Sequence, residues 1–121
     1  MARYEGELRL LEEEIRGFPV ISCVGTLVEE TSARLSGAGR RVVLEGPRPL
    51  AIDLSGVSYM SSAGITALLE VNHLAAENGV RLALFGAKPD VLRLFRFTAL
   101  DEVIPHFTTQ EEALGWLAAD R

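Results

Sequence analysis

The sequence predicts an α/β fold: a mixed, mostly parallel β-sheet packed against about four helices, with an amino-terminal antiparallel edge strand. Three observations carry this. The run "FPVISCVGTL" is almost continuously apolar, and "VRLALFG" carries apolar residues on both faces, as strands buried on both sides do. Between such runs lie segments whose apolar residues recur three and four apart, the period of a helix face. Turn formers punctuate the chain at short intervals, with no long linker, repeat or low-complexity stretch. Strands that alternate with helices pair in parallel through right-handed crossovers. Residues 1–121 therefore read as one domain.

"GELRLLEEE" alternates loosely and reads as the first strand. Arg16-Gly17 is turn-like, so "FPVISCVGTL" comes next as its antiparallel neighbour, with Pro19 near the strand start, where proline is tolerated. In "VEETSARLSGAGRRVVLEG", Val28, Thr31, Leu35, Ala38 and Val42 form one helical stripe, although Gly37 and Gly39 weaken it. "GPRP" breaks the chain, and "LAIDL" reads as a short buried strand. A helix comes next in "ITALLEVNHLAAENG", its wide apolar face built from Ile65, Leu68, Leu69, Val71, Leu74 and Ala75, and stopped at Asn78-Gly79. After "VRLALFG", Pro89 opens a helix over "DVLRLFRF". "DEVIPHF" reads as a short last strand or extended segment. "TQEEALGWLAA" closes as a helix, with Thr109 and Glu112 at capping-box spacing.

Composition narrows the function. The chain has 121 residues, 48% hydrophobic and 24% charged, with a formal net charge of −5. That balance argues against a nucleic-acid footprint and against an anionic membrane surface, since both call for clustered positive charge. Lys88 is the one lysine among twelve basic residues and reads as coding bias. The single cysteine, Cys23, can build neither an internal disulfide nor a zinc site, and reads as a small buried hydrophobe. The amino-terminal stretch lacks the apolar core of a leader, and no run reaches the length of a membrane span. A cytoplasmic location with no membrane insertion is the expectation.

The chemistry concentrates in "SGVSYMSSAGI", residues 55–65, between the carboxyl end of a strand and a helix start. In open α/β sheets functional loops gather at that edge. The plainest reading is structural. Serine is a preferred helix cap, Asp53 can hold nearby N–H groups, and Tyr59 and Met60 can pack. A phosphate cradle fits poorly, because Gly56 and Gly64 are far apart and no lysine comes after them in the motif. A nucleophilic serine with His73 as base and Asp53 as orienter lacks the nucleophile-elbow spacing, and only His73 and His106 could supply an imidazole. The chain therefore reads as a non-enzyme that needs no cofactor. The remaining reading is a serine that accepts a phosphoryl group from another protein.

"AIDLSGVSYMSSAGITALL" resembles the signature of the STAS domain family of anti-sigma factor antagonists: a strand ending in Asp-Leu-Ser, a short loop, an apolar or aromatic pair, then Asp-Ser-x-Gly. "ENGVRLALFGAKPDVLRLFRFTALDEVIPHFTTQEEALGWL" is similar to the family's remaining strand, helix and terminal helix, so the likeness covers about the last three-fifths of the chain. It implies partner switching. Ser62 falls at the phosphorylated position, Ser61 at the preceding acidic one and Gly64 at the motif glycine. Asp53, Ser55, Tyr59, Met60, Ser61, Ala63 and Gly64 would form the partner-binding stretch. The partners implied are a serine-kinase anti-sigma factor, which brings the ATP, and a phosphatase, with no direct nucleic acid. Two positions depart from the pattern. Ser61 stands where aspartate is usual, and Val28 stands where an acidic kinase contact is frequent, with Glu29 and Glu30 beyond it. The alternative within the family is a non-switching STAS subunit of a larger complex, such as a lipid-transport ATPase or a signalling scaffold.

Overall fold

The computed structural model describes residues 7–119. Residues 1–6, where the reading of no leader sequence begins, lie outside them, as do 120 and 121. Arg16 (φ 55°) and Gly17 (φ 84°) turn the chain between β1 (Leu8–Ile15) and β2 (Phe18–Leu27). Two central residues with positive φ match the twist of a tight hairpin, and the two strands pair antiparallel. Next in the chain are α1 (Glu29–Glu45), β3 (Leu50–Met60), α2 (Ser62–Glu77), β4 (Leu82–Phe85) and α3 (Pro89–Phe97). A 3₁₀ turn (Leu100–Glu102), β5 (His106–Phe107) and α4 (Gln110–Ala118) complete the order. The sheet runs β1-β2-β3-β4-β5, parallel after the first pair, as the alternation of elements predicts.

Side-chain alternation sorts the sheet into two faces. Ile21, Cys23, Leu50, Ile52, Leu54 and Leu84 point to the side covered by α1, α2 and α3. Val20, Ala51, Ala83 and Phe85 point to the other side, where α4 lays Ala113, Leu114 and Leu117. The predicted stripe of α1 is the one it buries: Val28, Thr31, Leu35 and Val42 are in the interior and Ala38 packs against it. Of the α2 face, Leu69 is 39% exposed. Arg81 fixes the terminal helix. Its guanidinium lies 4.1 Å over the Trp116 ring and donates to the carbonyls of Trp116, Leu117 and Ala119 at the end of α4.

The two glycines that weaken the α1 pattern differ. A Cβ on Gly39 would sit 2.6 Å from Val71 Cγ2, so Gly39 is what lets α1 and α2 pack closely. A Cβ on Gly37 would meet nothing within 4 Å. Nothing inside the domain explains the roughly 1 kcal/mol that a mid-helix glycine costs there.

Two expectations need correction. The strand read as "LAIDL" does not stop at Leu54 but runs to Met60. Pairing with the ten-residue β2 carries it on, through two irregularities where β3 holds one residue more than β2. "DEVIPHF" is mostly turn, and only His106 and Phe107 pair with β4.

His106 ties β5 to the β4–α3 connection. Its Nε2 accepts from the Ala87 N–H at 3.1 Å, and its ring meets Phe95 edge-on at 6.0 Å. Partial burial pushes its pKa below the ordinary histidine value. An unfolded chain takes up this proton as pH falls through roughly 6.5, while the folded state resists until lower pH. The contribution is therefore complete above that range and is lost as pH falls through the folded pKa. Urea midpoints at pH 7.5 and 5.0 should draw together in His106→Gln relative to wild type. An unchanged pH dependence would remove His106 as its source.

Candidate functional site

The first irregularity in β3 is stapled by Asp53. Its Oδ1 accepts from the Ser55 N–H (2.9 Å) and the Ser55 hydroxyl (2.7 Å), and its Oδ2 accepts from the Ser22 hydroxyl at 3.2 Å. Lys88 Nζ donates to the Ser55 carbonyl at 2.5 Å. Lys88, dismissed from the sequence as coding bias, thus anchors this corner. At the second irregularity the Ser58 hydroxyl donates to the Gly25 carbonyl at 3.2 Å. Asp53 and Ser55 are therefore set back from the start of α2. Five extended residues from Ser55 to Met60 span roughly 15 Å.

Cys23 is 1% exposed between these strands, and burial, aided by the Asp53 charge, pushes its thiol up to about 12. It stays protonated and packs as a hydrophobe. His73 lies far along α2, with Nε2 3.2 Å from a Glu77 carboxylate oxygen. Eleven helical residues separate it from Ser62, roughly 16 Å. Ser62, His73 and Asp53 are not brought together.

The start of α2 separates the two adjacent serines. Ser61 is the cap, in extended conformation (φ −98°), and its hydroxyl accepts from the Ala63 N–H at 3.2 Å. Its own N–H donates to the Leu27 carbonyl at 2.9 Å, which ties α2 to the end of β2. Ser62 is the first helical residue and is exposed. Ala63 is partly exposed and Gly64 is buried beneath it. Gly64 has a packing reason: a Cβ there would lie 2.5 Å from Met60 Cγ and 3.0 Å from Leu27 Cβ. Met60 is accordingly interior, 6% exposed. Tyr59, in contrast, is 40% exposed, and with Phe97 and Leu94 it lines a shallow apolar cleft of about 440 Å³ against α3.

The departure at Val28 has a geometric account. Valine cannot cap α1 with its side chain. Thr31 serves instead, its Oγ1 accepting from the Val28 N–H at 3.0 Å and donating to the Thr26 carbonyl at 2.8 Å. The Val28 side chain turns inward. Glu29, the next residue, is exposed and shares a dish of about 540 Å³ with Ser62, Thr66 and Glu70. Acidic groups in the first turn of α1 also suit the positive end of its dipole. The sequence reading missed Glu70 and Ser32 in this dish, and Phe97 beside Tyr59. Helical spacing could have flagged Glu70, since residues 62, 66 and 70 share one face. Ser32 gives no such signal, because it sits beside buried Thr31 at the helix start.

The STAS domain family model matches residues 10–113. This chain belongs to the STAS domain family. Among solved structures, this STAS domain is similar to an anti-sigma factor antagonist from Mycobacterium paratuberculosis, at 28% identity and a TM-score of 0.83, covering 95% of this chain and 97% of that one. It is similar to an anti-sigma-factor antagonist domain protein from Planctomyces limnophilus at 25% identity and TM-score 0.80, covering 90% and 97%. The anti-sigma factor antagonist SpoIIAA in its unphosphorylated form shares the fold, at 19% identity and TM-score 0.71, covering 94% and 100%. A Mycobacterium tuberculosis protein assigned by name to the anti-anti-sigma factors is 30% identical over 69 residues, 57% of this STAS domain. That match spans 47% of the Mycobacterium tuberculosis protein, so this chain accounts for about half of its curated relative. Among the described residues, no helix is long and apolar enough to cross a membrane.

Proposed function

We propose that this chain is an anti-sigma factor antagonist. It binds a serine-kinase anti-sigma factor while Ser62 is unmodified and is released when Ser62 carries a phosphate. The observation that carries the reading is the division of labour between Ser61 and Ser62. Ser61 does the capping, and Ser62 stands exposed on the first residue of α2. A modification of Ser62 therefore takes nothing from the fold.

The energetics favour release over unfolding. A phosphate adds about −1.5 to −2 charge. At a helix N-terminus it gains roughly 0.3–1 kcal/mol, up to about 2 when partly buried. Glu29 and Glu70 in the same dish oppose that gain. Burying the dianion against a partner surface not built for it costs several kcal/mol. The partner interface takes the larger penalty. On this reading Tyr59, Ser61 and Ala63 belong to the contact surface, and buried Gly64 and Met60 support it from below. Asp53 and Ser55 hold the strand that presents it. Glu29 supplies the acidic contact that Val28 does not. The partner brings the ATP, a phosphatase resets the serine, and the chain works in the cytoplasm as a single domain without catalysis or cofactor of its own.

The test is direct. The chain is incubated with its cognate anti-sigma kinase and ATP, and the product is mapped by mass spectrometry. Phosphate is expected on Ser62 and not on Ser61. Phosphate on Ser58 or Ser61 instead, or an unmodified chain in an active mixture, would overturn the switch.

A further inference from the structure

A groove of about 640 Å³ runs between the outward faces of α1 and α2. At its amino-terminal end it opens into the Ser62 dish, with Ala33, Ser36, Thr66 and Glu70 common to both. Its apolar lining includes Leu69, 39% exposed, and half-buried Leu74. Glu70 and Glu77 stand along it and Glu29 at its head, with Arg40 on the α1 side. His73 stands beside Glu77, its Nε2 3.2 Å from a carboxylate oxygen.

Two features of this groove have no use within the domain. Gly37 sits mid-helix on the groove with open space where its Cβ would be. Ser32, 5% exposed at the head of the groove, has a buried hydroxyl with no hydrogen-bond partner among the described residues. Buried hydroxyls are normally satisfied, so this one is an exception in the first turn of α1, at a residue that lines the Ser62 dish. Ala33, Ser36 and Gly37 keep the α1 wall low enough for another backbone to approach.

We propose that the α1–α2 groove receives a basic amphipathic helix of a protein partner. Its apolar anchors would sit against Leu69 and Leu74, which lie roughly 7.5 Å apart along α2. Lysine or arginine on the flanks would meet Glu29, Glu70 and Glu77, which complements a chain of net charge −5. From Ser62 to Glu77 the groove spans roughly 22 Å at 1.5 Å per residue, room for about four turns of partner helix. The inference rests on the proposed function and extends it to a second contact of the same partner. Its test contains neither kinase nor nucleotide, so either reading can fail alone.

The probe is a fluorescein-labelled sixteen-residue helical peptide with leucines at i, i+3, i+7 and lysine and arginine on the flanks. A matched peptide carries glutamate at the basic positions. Fluorescence anisotropy should show saturable binding of the basic peptide, weakened at least tenfold by Gly37→Leu and by Glu70→Lys with Glu77→Lys. Gly37→Leu also raises helix propensity, so its melting temperature should hold or rise while binding falls. Amide shifts should map to α1 and α2. Equal binding of both peptides, full binding by Gly37→Leu, or shifts confined to the Tyr59–Phe97 cleft would overturn the proposal. So would concentration-dependent dimerisation that Gly37→Leu abolishes, which would give the groove to a second copy.

Discussion

Gly25→Val is expected to remove about 3 kcal/mol or more of stability. Gly25 lies in β2 with φ 126°, a conformation that side-chain-bearing residues rarely adopt. A Cβ there would sit 2.4 Å from the Glu7 carbonyl oxygen. That atom is backbone and cannot swing aside. The same oxygen accepts from the Thr26 N–H at 2.8 Å and its hydroxyl at 3.1 Å, so pushing it away also loosens the start of β1. Gly17→Val is the control: Gly17 also has positive φ (84°) but nothing within 4 Å of its Cβ position. It carries backbone strain alone, about 1–3 kcal/mol. Urea denaturation of both variants separates the two effects, and equal losses would remove the steric contribution.

Gly64→Val is expected to lose about 1–3 kcal/mol by overpacking, and to weaken partner binding beyond that loss. The new side chain must displace Met60 Cγ, 2.5 Å from the Cβ position, and Leu27 Cβ at 3.0 Å. Both lie under the first turn of α2, and the Ser61 N–H is bonded to Leu27. The displacement is therefore delivered to Ser61 and Ser62. Helix propensity works the other way, because valine is a better helix former than glycine. A fall in the urea midpoint identifies packing as the reason for glycine here. A midpoint that holds or rises would mean the contact with Met60 is easily relieved.

Much of the fold was legible because its elements obey simple periods. The β2 and β4 runs are buried on both faces, and the α1 stripe keeps helical spacing through two glycines. What periodicity could not show was how far β3 continues. Ser55, Gly56 and Ser58 look like loop residues, and they become strand only because β2 runs alongside and Asp53 holds the irregularity. The site was legible in part. The capping serine and its exposed neighbour are expected from their place at a helix start, while the choice of Ser62 over Ser61 comes from the family pattern and from exposure. Glu29 and Glu30 were visible beyond Val28 without a choice between them, and the place of Glu29 in the dish with Ser62 depends on how α1 packs beside α2. Glu70, Phe97 and the role of Lys88 depend on contacts between distant segments, which no local pattern carries.

The central claim is that charge on Ser62, and not loss of its hydroxyl, ends the complex. Calorimetric titration of the anti-sigma factor with wild-type chain, Ser62→Ala and Ser62→Asp tests it most directly. The alanine variant should bind within about threefold of wild type. The aspartate variant should bind about a hundredfold more weakly, as a penalty of several kcal/mol implies at 1.4 kcal/mol per factor of ten. Equal affinity of the alanine and aspartate variants would contradict the account.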